Sequence, residues 1–79
     1  MRDTIVRSET ELRLAIAEHD ASYPDGDWQS ANNRIESARF IADAAIYGIG
    51  LWPSGKRYLG NDTVLDLLQK AQVVREESE

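Results

Sequence analysis

The sequence predicts a mainly α protein: three helices, a small β-hairpin between the second and third, and the central helix as hub. Three observations carry this expectation. Trp28, Ala31, Ile35, Ala38, Ala42, Ala45 and Ile49 recur at alternating steps of three and four, the seven-residue repeat of a packed helix seam. Shorter apolar stripes at helical spacing flank it: Leu12, Ala15, Ile16 and His19 before, and Val64, Leu67, Leu68, Ala71 and Val74 after. Residues 40–52, FIADAAIYGIGLW, are apolar or glycine at twelve of thirteen positions, with Asp43 the sole charge. A helix that is apolar all round is buried. In a chain of 79 residues it is either the hub of the whole fold or covered by a second chain. An α+β arrangement is the alternative, because the β-branched Thr4, Ile5 and Val6 could supply a further strand to the hairpin.

Each element has its own signals. Ser8 and Glu11 form an S-x-x-E capping box ahead of Leu12, placing helix one at about 9–20. Ile5 continues the same stripe, so the helix can extend back through residue 3. Pro24, Asp25 and Gly26 are turn residues, and Asp27 is a good N-cap for helix two over about 28–48. Its opposite face carries Asn33, Phe40 and Tyr47. Gly48 and Gly50 close the helix. Leu51 and Trp52, a Pro53–Lys56 turn and a return through Arg57, Tyr58 and Leu59 read as the hairpin. Asn61, Asp62 and Thr63 are N-cap candidates for helix three at about 63–75. The acidic tail, 76–79, is expected to fray.

Composition narrows the function. Residues 1–79 make one small domain, of a size that buries only about 60% of its unfolded surface. Such scaffolds need a supplement: disulfides, a metal or oligomerisation. With no Cys and a single His, His19, the supplement left is self-association, expected as a homodimer through Ile35, Ala38, Ala42 and Ala45. No cofactor is expected. The net charge of −5, from 14 acids against 9 bases, argues against direct nucleic-acid or membrane binding and favours a basic partner. Neither a signal-peptide core nor a run of ~20 apolar residues occurs, so the expectation is a soluble cytoplasmic protein.

Two surfaces are candidate contact sites. No Lys or Arg occurs between Arg13 and Arg34, while Glu18, Asp20, Asp25 and Asp27 all fall there. With Asp27 set aside as a cap, Glu18, Asp20 and Asp25 form an acidic patch suited to a basic surface on another protein. The second candidate is the hairpin, where Trp52, Arg57 and Tyr58 combine aromatic and basic groups of the kind enriched in protein hot spots. Against these stand structural roles: loop aspartates serve turns and caps, and hairpin aromatics pack on helices.

Catalytic and metal readings are weak. Asp25, Asp27, Gln29 and Glu36 match four positions of a calcium loop, but the glycine that its sharp turn requires is replaced by Ser30. Asp43 within the apolar run resembles a buried catalytic acid, yet Arg39 and Tyr47 lie one helical turn away on either side. His19 is a favourable residue for a helix C-terminus. The expected function is therefore a non-enzymatic, acidic protein-binding module. It would act as a regulator or inhibitor, of the kind mobile elements and phages direct against host defence, on a basic nucleic-acid-binding surface of a larger partner. The alternatives are a small-ligand or nucleotide binder using the Trp52–Tyr58 hairpin at an oligomer interface, and a structural assembly subunit.

Overall fold

The computed structural model describes residues 2–78, with side chains from 3 to 74. It contains helices α1 (Arg2–Ser22), α2 (Trp28–Ile49) and α3 (Asn61–Ser78). The mainly α expectation holds. The hairpin does not, because no strand occurs among the described residues.

α1 is longer than its core stripe requires. Ile5, Ser8, Leu12 and Ala15 are all buried, a spacing of three and four that continues the apolar face upstream. Ser8 is therefore an interior helix residue and not a cap. Its hydroxyl donates to the carbonyl of Ile5 at 3.0 Å, so a small polar group sits in the core with its hydrogen bond made. The same continuation absorbs Thr4–Val6 into the helix, and the strand alternative disappears with it.

α2 starts and stops where its signals lie. Asp27 accepts the backbone N–H of Ser30 at 3.2 Å and the Ser30 hydroxyl at 2.8 Å. At the other end Gly50 adopts φ 79°, a left-handed conformation that favours glycine. The Leu51 N–H then reaches the Ile46 carbonyl and the Gly50 N–H the Tyr47 carbonyl, both at 3.0 Å. This is the Schellman pattern, with Leu51 and Ile46 both joining the core.

The linker then runs back along α2. Trp52 stacks on Tyr47 with ring centroids 4.5 Å apart, and Tyr58 lies under Arg39, two helical turns nearer the N-terminus. A turn brings the Lys56 N–H to the Pro53 carbonyl at 3.3 Å, with Gly55 at φ 80°. The Trp52 indole N–H closes it, donating to the Lys56 carbonyl at 2.7 Å. No ladder forms because the helices claim the flanks: Leu51 and Leu59 enter the core and Tyr58 is held by Arg39. α3 opens two residues earlier than its caps suggest, with the Val64 N–H on the Gly60 carbonyl. Its backbone stays helical through Ser78, beyond the end expected near residue 75; Glu79 lies outside the described residues. A hydrogen bond from Gln72 to Glu9, 2.7 Å, ties α3 to α1.

The core is small-on-large. Ala38, Ala42 and Ala45 of α2 meet Ile5 and Leu12 of α1 and Val64, Leu67 and Leu68 of α3. Ile35, Ala38, Ala42 and Ala45, the residues expected to join two copies, are thus engaged inside one chain. The seam needs a partner helix, and the chain supplies two. The apolar run splits accordingly. One face is the hub, while Phe40, Ile41 and Tyr47 on the other face are exposed.

With Ala42 fully buried, a larger side chain has no free volume to enter. Ala42→Leu should lower stability by about 1–3 kcal/mol in urea unfolding. An equally stable variant would show that the seam is not packed against α1 and α3. Asp27→Ala should cost about 1 kcal/mol, the usual value of a lost N-cap.

Candidate functional site

The site is organised by Arg39. Its position in the stripe flank of α2 buries the residue to 8% exposure. A buried guanidinium is costly unless its donors are satisfied, and here three chain segments satisfy it. Nε donates to Asp43 Oδ1 at 3.2 Å, one turn along the helix. Nη1 donates to Asn61 Oδ1 at 2.9 Å, at the start of α3. The Tyr58 ring of the linker lies 5.0 Å from the guanidinium carbon, a cation–π distance. Asp43 is therefore an ion-pair partner, as the i, i+4 spacing from Arg39 implies.

This clamp forms the back wall of a groove of about 630 Å³. Ile16, His19 and Asp20 of α1 line one side, and Ile35, Glu36 and Phe40 of α2 the other. Tyr58 and Asn61 close the end. Three carboxylates, Asp20, Glu36 and Asp43, face one guanidinium, so two negative charges are uncompensated when His19 is neutral. Phe40 is 80% exposed and Tyr58 73% exposed. Large rings in water beside a charged groove are the least expected feature of this surface. Below the groove, His19, Tyr23 and Trp28 form an aromatic cluster with centroids 5.5–6.0 Å apart, packing the α1–α2 turn.

The proposed acidic patch does not form as a single surface. The fold returns Arg34 to Glu18, and the two form a salt bridge. Sequence distance hid this pair, because the charges are sixteen residues apart and meet only across the α1–α2 hairpin. Glu18 lines a second, smaller groove with Glu11 and Leu14, away from Asp20. Two residues apart on a helix is about 200°, so Glu18 and Asp20 diverge. Asp25 is exposed in the loop, and Asp27 is used as the cap.

Of the linker residues, Tyr58 joins the groove. Trp52 is half-buried, stacked on Tyr47, and its N–H is taken by the Lys56 carbonyl. Arg57 is exposed. Trp52 and Tyr58 therefore attach to different turns of α2 and share no common stacking platform. The site residues that sequence reading missed are Asn32, Glu36 and Phe40. Their signal was present in the i, i+4 spacing on the outward face of α2, where Phe40 was placed without a role.

No cluster of three metal-ligating side chains occurs among the described residues. Among the described residues no helix is long and apolar enough to cross a membrane. Compared with protein families, curated proteins and solved structures, the chain matches none.

Removing the guanidinium strands the Asp43 carboxylate and the Asn61 amide. Asp43 is partly exposed, so water offsets some of the loss. Arg39→Met should destabilise the chain by about 1–3 kcal/mol in urea unfolding. Tyr58→Leu, which removes only the ring, should cost about 0.5–1 kcal/mol. Equal stability of the Arg39 variant would remove the clamp from the account of the fold.

Proposed function

We propose that the chain is a non-enzymatic protein-binding module of the cytoplasm, a regulator or inhibitor that docks on a basic surface of a larger partner. The observation that carries this reading is the pairing of exposed rings with uncompensated carboxylates on one face. Phe40 and Tyr47 stand seven residues apart on the outward stripe of α2, and Tyr58 of the linker lines the groove with Phe40. Aromatic residues presented from rigid elements are the usual anchors of protein interfaces. The net charge of −5 speeds encounter with a basic partner.

Self-association through this same face is the competing reading. Ile41, exposed beside Phe40, favours it by widening the apolar patch. A homodimer would then use the outward stripe and leave the alanine seam inside each copy.

A photoreactive benzoylphenylalanine at position 40 tests both. In the native cytoplasm it should form a discrete adduct with a larger protein, competed by excess unlabelled chain and lost when Tyr58→Asp is added. The same probe at Leu14, exposed on the far groove, should not form that adduct. An adduct of twice the chain mass, with dimer in sedimentation, would favour the assembly reading. Identical adducts from both positions would remove the outward face as the site.

A further inference from the structure

We propose that the groove receives an arginine side chain of the partner, held by Asn32, Glu36 and Phe40. This rests on the protein-binding reading above and names the group that the face recognises.

The chain contains its own template. Arg39 is held by a carboxylate (Asp43), an amide oxygen (Asn61) and an aromatic ring (Tyr58). The same three chemical groups recur toward the N-terminus of α2. Asn32, Glu36 and Phe40 follow one another at i, i+4 and i+8, so they stand about 6 Å apart in a row along one flank. All three line the same groove as the first set. There the resemblance stops, because this second set holds no cation: among the described residues the Glu36 side chain takes part in no hydrogen bond or ion pair. Phe40 offers its ring to solvent.

Charge selects the occupant. Arg39 is spent on Asp43, so Glu36 is left uncompensated, and among the described residues Asp20 across the groove pairs only with His19, at 3.7 Å. An anionic ligand would be repelled by both. A neutral apolar one would leave both carboxylates to be desolvated without partners. A guanidinium matches every element: its fork pairs with a carboxylate, its remaining N–H groups reach an amide oxygen, and its flat face stacks on a ring. An ammonium matches only the charge.

The test is a nitrogen-15 NMR titration of the full chain with N-acetylarginine amide, its uncharged isostere N-acetylcitrulline amide, and N-acetyllysine amide. The arginine compound should give saturable shifts centred on Asn32, Glu36 and Phe40. The citrulline compound should give none, and the lysine compound should bind several-fold more weakly. Glu36→Gln and Phe40→Leu, both at exposed positions, should each weaken the arginine response about five-fold, the upper range for an exposed charged pair. Their helical circular dichroism and melting temperature should not change. Absence of saturable shifts, equal binding of citrulline or lysine, or shifts centred on Glu11 and Glu18 would overturn the assignment. The photoadduct from position 40 separates this failure from that of the wider reading. If Glu36→Gln retains the adduct while no arginine response exists, the face binds protein but not through a guanidinium. If no adduct forms at all, the module reading itself falls.

Discussion

The guanidinium of Arg39 decides where the third helix begins. α2 is a long hub whose C-terminal Schellman turn at Gly50 sends the chain back on itself. Eleven residues, 50–60, must then find a point at which to stop running along α2 and start a new helix. Arg39 supplies that point. It is buried with its donors directed to Asp43 on its own helix and to Asn61 at the first turn of α3, with Tyr58 beneath it. Three segments are joined at one charge that cannot be left unsatisfied in the interior. Shifting the start of α3 by one residue would move Asn61 out of reach. It would also rotate Val64, Leu67 and Leu68 by about 100° away from the alanine seam. The clamp therefore sets the register of the core as well as the wall of the groove.

The local chemistry of α2 was legible in the sequence. Asp27 caps, Gly50 terminates, the alanine seam is buried, and the Arg39–Asp43 pair forms at i, i+4, because each depends on residues within a turn or two. What stayed hidden depends on chain return. The sequence offers the seam either a second copy or the chain's own helices, and nothing local says that α1 and α3 reach it. The Glu18–Arg34 pair that breaks the acidic patch is one such contact, far apart in sequence and near only after the hairpin closes. The Ser8 capping box was a sound local signal overridden by tertiary packing: Ile5 upstream has a core to enter, so the helix runs through the cap. The β-hairpin failed for the same reason. Its flanks are two and three residues long, and helices that can bury Leu51 and Leu59 outcompete so short a ladder.

The distribution of side-chain size is inverted relative to a core built for maximal burial. α2 encloses Ala38, Ala42 and Ala45 together with Ile46, while its large side chains Phe40 and Tyr47 are exposed. Small inward residues let two helices approach a third closely, but each buries little apolar area. Most of the burial then falls to Ile5, Leu12, Val64 and Leu68 on the partner helices. The rings, which could supply far more area, are left in water at some cost to the free chain. A single exposed ring is ordinary. Two along one stripe, with Tyr58 of the linker exposed beside Phe40 at the groove, are of the kind associated with contact surfaces.

Recognition by such a face gains from the rigidity behind it. Phe40 and Glu36 project from the middle of a 22-residue helix packed on its inner side by two others. Little conformational freedom remains to be lost there on docking, so more of the contact energy survives as affinity. Tyr58 would be mobile on an ordinary loop, but the cation–π contact with Arg39 holds it. The same guanidinium that fixes the third helix thereby keeps one wall of the groove in place. Stability and the proposed recognition draw on a shared residue at Arg39, and they separate at Glu36 and Phe40, which lie in the groove yet carry no part of the core. That separation is what makes a binding role for the outward stripe distinguishable from a structural one. Residues that served only the fold would be expected to sit inside the clamp, and these two sit outside it with their chemistry unpaired.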